Sequence, residues 1–301
     1  MNMKKYIKYL FATLLAAFVG VSCNEDPLNE DSVIVADKVD KNEFDLWLED
    51  NYVNPYNILF KYRFEMNESD MNYYTIPAPY DLSIKMAHLV KYLCIDTYDE
   101  VAGIEFTRAY FPKMFFLIGE WEYRNNGTII LGTAEGGKKI LLSGINYLDQ
   151  YLAQGADALN HYYIKTIHHE FTHILNQTQP YPTDFALITG TGYVADSWSD
   201  APYNANFLPR GYISAYSQHS DTEDFAEMLS IYITNSAEYW EAQMQTAGTE
   251  GRSLLNQKLD RVRSYMQDSF DIDIDELRAA ILRRQDDVVS GKVDLSDLTI
   301  N

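Results

Sequence analysis

Cysteine is almost absent from this chain, which has only Cys23 and Cys94 among its 301 residues. Cys23 is assigned below to lipid attachment, which leaves Cys94 alone, so the chain has no intramolecular disulfide to form and must draw its stability from a core. Basic residues are also scarce, 24 against 44 acidic ones, giving a net charge of −20. Phosphate recognition relies on clustered lysine and arginine, so this balance argues against a nucleic-acid partner and against electrostatic attraction to an anionic membrane face. The apolar run Tyr9–Val21 is shorter than the roughly 20 residues that a membrane-spanning helix needs. Sustained heptads, internal repeats and a phosphate-cradling glycine loop are missing too. Histidine numbers only six, which makes its clustering informative.

Hydrophobic residues make up 47% and aromatics 14% of the chain, enough for a sizeable core. Lys4, Lys5 and Lys8 precede the apolar run and mark residues 1–22 as a signal peptide. It ends in Gly20-Val21-Ser22-Cys23, which resembles the bacterial lipobox, although Gly20 stands where a larger apolar residue is usual. That resemblance implies lipid attachment at Cys23. Residues 23–40 are polar and acidic and read as a flexible tether. The acidic Asn24-Glu25-Asp26 resembles the signal that sends lipoproteins of Bacteroidota-type bacteria to the outer face of the outer membrane, and so implies a cell-surface lipoprotein.

Residues 41–301 read as one α+β domain, with a sheet and N-terminal helices in 41–150, active-site helices and an insertion in 151–235, and helical support in 236–301. A helix is expected over Asn42–Asn51, stopped before Pro55. Phe60, Tyr62 and Phe64 alternate with Lys61, Arg63 and Glu65 as in a half-buried strand. Asp81 is placed to cap a helix carrying Leu82, Met86, Leu89, Val90 and Leu93, with Cys94 as a buried thiol. Met114–Ile118 reads as a buried strand, and Thr128–Leu131 and Lys139–Ser143 as a hairpin across Glu135-Gly136-Gly137. Asp275 is expected to cap a late helix.

Three of the six histidines fall within His168-His169-Glu170-Phe171-Thr172-His173, which contains HExxH. On a helix, His169 and His173 share a face and can offer ring nitrogens to one metal ion, with Glu170 beside them to handle a proton. Ile164, Ile167, Phe171, Ile174 and Leu175 form an apolar stripe beside that face. A catalytic zinc uses three protein ligands, and the metzincin positions for a glycine and a third histidine hold Asn176 and Gln179. The next chemical cluster runs from Tyr216 to Glu227. Ser220 or Asp221 can cap a helix there, with Glu223 and Glu227 one turn apart on one face. Glu223 is the leading third ligand and His219, Asp224 and Glu227 are its competitors. Asp224, rotated by one helical step, is expected to be exposed. Glu227 suits the far-side N–H of a ligand histidine.

Glu223-Asp224-Phe225-Ala226-Glu227, with Tyr216 seven residues before its first glutamate, resembles the gluzincin pattern of the lethal-factor catalytic domain and the Pro-Pro endopeptidases. The resemblance implies Glu223 as third zinc ligand, Glu227 behind the ligands and Tyr216 as oxyanion donor. Together with the lipobox, HHEFTH and EDFAE resemble the substrate import-associated zinc metallohydrolase lipoproteins, metallopeptidases found beside outer-membrane nutrient importers. A zincin-like α+β fold with a mixed sheet, one Zn2+ per chain, a peptide or protein substrate and an importer partner are what this implies. Glu170 would then be the proton acceptor. In zincins an edge strand also pairs with extended substrate. The alternative is a non-catalytic accessory lipoprotein that keeps zinc for structure, a role with no use for Glu170 or Tyr216.

Overall fold

A computed structural model describes residues 40–300 except Met71, Asn125 and Asn126, so the leader, Cys23 and nearly all of the tether lie outside the described residues. Among the described residues the strands are β1 (Leu59–Lys61), β2 (Met114–Leu117), β3 (Glu122–Tyr123), β4 (Ile129–Ile130), β5 (Gly132–Glu135) and β6 (Lys139–Leu142). Four of them form a mixed sheet in the order β1-β2-β6-β5. β1 and β6 both run parallel to β2, while β5 runs antiparallel to β6 and ends the sheet. β2 and β6 read as continuous apolar runs because both faces are covered: Phe115, Phe116, Leu117, Ile140 and Leu142 are 0% exposed.

The hairpin is built differently from the expectation. Ile129–Ile130 pair with β3 in a separate ribbon, and the partner of β6 begins at Gly132. A Cβ on Gly132 would lie 2.8 Å from the Leu141 carbonyl oxygen and 2.8 Å from Thr166 Cγ2. Only glycine lets the strand run this close to its neighbour and to the helix behind it. The first helix also continues past Pro55, as Glu43–Leu48, a π turn at Glu49–Val53 and a last turn at Asn54–Tyr56. Pro55 opens that last turn, where a missing N–H costs little. Asp81 is not a cap, because its helix, Tyr80–Val90, starts behind Pro79. Asp273 rather than Asp275 caps Ile274–Val289, accepting from the Asp275 N–H at 2.7 Å. The Phe60, Tyr62, Phe64 alternation appears in burial, although the ladder stops at Lys61.

The metal-site helix, Lys165–Thr178, rests on its apolar stripe: Ile164, Ile167, Phe171 and Leu175 are 0% exposed and Ile174 is 3% exposed. Phe171 sits among Tyr98 and Phe111, with ring centroids 5.0 and 4.8 Å away. Burying such a ring contributes about 1.5–3 kcal/mol. His168 faces this core, its Nδ1 3.2 Å from the Tyr98 hydroxyl, and burial holds its pKa down at about 3. It is therefore a neutral structural histidine. Cys94 is buried in the same core. After the insertion, the carboxylate helix Asp221–Thr234 is capped by Ser220, whose Oγ accepts from the Glu223 N–H at 3.3 Å. A long helix, Ala237–Phe270, kinked at Gly248, packs behind it.

Candidate active site

Helical geometry puts His169 and His173 one above the other, and their Nε2 atoms are 3.1 Å apart. Glu223 Oε2, from a helix 50 residues further along the chain, lies 2.9 Å from the first and 3.2 Å from the second. The Ser220 cap fixes the turn that aims Glu223 at the pair. Two ring nitrogens this close cannot both carry protons pointing at each other, and once both are deprotonated at Nε2 their lone pairs and a carboxylate oxygen face one point. A tetrahedron with bonds of about 2.0–2.1 Å has edges of about 3.3 Å. Among the described residues, His169, His173 and Glu223 form the group able to hold a metal ion, and their donor types and spacings fit zinc.

The competitors for the third position point elsewhere. His219 Nε2 lies 3.4 Å from Asp196 Oδ1, on the insertion. Asp224 is not exposed as expected. It is 0% exposed, with Oδ2 2.5 Å from Lys258 Nζ and 2.9 Å from the Tyr193 hydroxyl. The helical step that turns it away from Glu223 turns it into the core, because the long helix and the insertion cover that face. Glu227 Oε1 lies 2.9 Å from His169 Nδ1, on the side of the ring away from Glu223.

The charges in the cluster support one another. Burial opposes a charged His169, but Glu223 and Glu227 outweigh it and raise its pKa to about 9. Burial likewise works against the Glu223 carboxylate, yet its hydrogen bonds to both imidazoles hold its pKa well below the usual range. Glu170 differs. Burial raises its pKa above the ordinary carboxyl value, against the pull of His169 and His173, while the main chain of Ala134 in β5 hydrogen-bonds it. The Tyr216 ring centroid is 6.0 Å from that of His169, and Trp198 braces it edge-on at 5.0 Å. Burial, followed by the charge of Glu223, pushes its hydroxyl pKa upward, so it stays a proton donor.

Two cavities of about 540 and 520 Å³ meet at this point. The first is largely apolar, walled by Ile130, Leu131, Ile213, Ile231 and Tyr239. The second is more polar, with Thr133, Asn176, Tyr181 and Thr222. Arg124, Gly132, Glu170 and Tyr216 line both and so form the neck between them. β1 and β5 are the two edge strands of the sheet, and β5 is the one at this neck, where its Gly132, Thr133 and Ala134 line the cavities. The insertion contributes Trp198 and Phe207 to the first cavity. Lys165, Arg124 and Gly132 escaped the sequence reading. Lys165 had a signal, four residues before His169 on the same face, whereas nothing local marked the other two.

A mixed sheet, an antiparallel edge strand beside an HExxH helix and a His-His-Glu donor set define an α+β domain of metallopeptidase type. The chain belongs to the family described as "Putative zinc-binding metallo-peptidase", which matches residues 37–275. It is similar to a putative zinc-binding metallo-peptidase from Bacteroides caccae, known from a crystal structure, at 41% identity and a TM-score of 0.74. The match covers 89% of this chain and 100% of that one. No curated protein matches the chain.

Proposed function

We propose that this protein is a zinc-dependent peptidase of gluzincin type that cleaves internal bonds of polypeptides. The observation that carries the reading is the convergence of His169, His173 and Glu223 beside Glu170 and Tyr216, at a neck open to cavities on both sides. Zinc held by the three ligands would polarise a carbonyl and lower the pKa of a water it binds toward about 7. Glu170 takes a proton from the attacking water and returns it to the leaving amine. Tyr216 donates to the carbonyl oxygen as that oxygen gains charge. β5 offers its free edge to an extended substrate backbone, and the apolar cavity suits large apolar side chains on one side of the cut bond.

The test is zinc content by elemental mass spectrometry on residues 24–301. One zinc per chain is expected. It should be lost in Glu223→Ala, and affinity should fall about 10- to 100-fold in Glu227→Ala, as for other partners of metal-bound histidines. A parent protein that takes up no zinc on reconstitution would refute the proposal.

The leader supports a further part of the reading, that Cys23 carries lipid and anchors the enzyme on the outer face of the outer membrane, serving a nutrient importer of the same membrane. Protease added to intact cells should then remove the protein. Complete protection until lysis would overturn the surface assignment.

A further inference from the structure

Lys165 opens the metal-site helix one turn before His169, so the two side chains leave the same face. Both reach one atom: Glu227 Oε1 lies 2.7 Å from Lys165 Nζ and 2.9 Å from His169 Nδ1. The lysine contact is a hydrogen bond, and the histidine contact lies at hydrogen-bond distance on the same oxygen. The Glu227 side chain is 2% exposed and that of Lys165 is 22% exposed. A carboxylate this far from water keeps a fixed position only when firmly paired, and Lys165 supplies a cation that does not depend on the protonation of His169.

We propose that Lys165 is a positioning residue for the metal centre: it holds Glu227 against His169 Nδ1 and thereby sets how tightly His169 binds zinc. The proposal rests on the zinc reading above. Glu227 stands on the carboxylate helix and its two partners on the metal-site helix, so the clamp also ties together the helices that carry the three ligands. Although Lys165 borders the apolar cavity, its Nζ is committed to Glu227 and is not free to receive a substrate anion. A surface ion pair of the same length would matter little, since its charges are already solvated. Here the acid is buried and its other contact is a metal ligand.

The experiment is zinc affinity by chelator competition on the purified protein and on Lys165→Met, Lys165→Gln and Lys165→Arg, with melting of each metal-free form. Lys165→Met and Lys165→Gln should bind zinc about 10- to 100-fold more weakly. Lys165→Arg, which can still reach the carboxylate, should stay within about threefold of the parent. The metal-free Lys165→Met and Lys165→Gln forms should melt lower than the parent, because Glu227 loses its cation, but should stay folded at the assay temperature. In a Glu227→Gln background, Lys165→Met should weaken zinc binding no further. Parent-like affinity in both neutral variants would overturn the proposal. So would losses that multiply in the double variant, or destabilisation of the metal-free forms that accounts for the whole effect. A parent that binds no zinc would remove the zinc reading itself, an outcome distinct from these.

Discussion

Glu170→Gln is expected to keep one zinc per chain while lowering kcat by roughly 10²- to 10⁴-fold, the usual contribution of a positioned acid–base group. Glutamine preserves the shape of the side chain but cannot accept a proton. Glu170 also stands outside the His169, His173 and Glu223 cluster, so metal content should not depend on its charge. That loss is about 3–5 kcal/mol of transition-state stabilisation. Tyr216→Phe removes one oxyanion donor and should cost at most about 10³-fold, again with zinc retained. The two measurements that matter are zinc content and single-turnover rate on a cleaved peptide. Loss of zinc in Glu170→Gln would make Glu170 a ligand rather than the base, and full activity would favour a zinc site without catalytic function.

The second large effect is on stability. Lys258→Met should destabilise the fold by about 3–5 kcal/mol, the cost of leaving one member of a buried ion pair alone. Lys258 and Asp224 are both 0% exposed and 2.5 Å apart. The lysine also donates to the Gly211 carbonyl at 2.7 Å and sits 4.1 Å from the centroid of the Tyr212 ring. Burial raises the Asp224 pKa to about 6 even with this cation beside it. Without Lys258 the carboxylate would have to take up a proton or draw water into the core. The double variant Asp224→Asn, Lys258→Met should recover much of the loss, because it removes both charges. Denaturant unfolding of the two variants checks this, and a Lys258→Met protein as stable as the parent would refute it. Because Lys258 pins Gly211, five residues before Tyr216, the single variant should also slow turnover beyond its effect on folding.

The local part of the site was legible because a helix fixes neighbours four residues apart. HExxH specified that His169 and His173 share a face, and the apolar stripe specified which side of that helix would be buried. Ser220 and the spacing of Glu223 and Glu227 predicted the second helix in the same way. Where the reading missed, the competing force was packing between distant segments. Helical rotation alone points Asp224 to solvent, but rotation says only that it faces away from Glu223, not what lies on that side. The long helix places Lys258 there. The hairpin expected at Thr128–Leu131 shifted because pairing depends on which segment can approach β6, and Gly132 alone lacks the Cβ that would strike Leu141 and Thr166.

The sequence by itself determined the periodic elements around the site and the HExxH spacing that pairs His169 with His173 and sets Glu170 beside them, because each depends on residues close together in the chain. Only the tertiary structure decided that Glu223 comes within 3.2 Å of both histidine nitrogens, that β5 is the edge strand beside them, that two cavities meet at Glu170 and Tyr216, and that Lys165 and Lys258 each hold a buried acid. Those relations join segments dozens of residues apart, and the packing of helices against the sheet, not chain spacing, sets the distances between them.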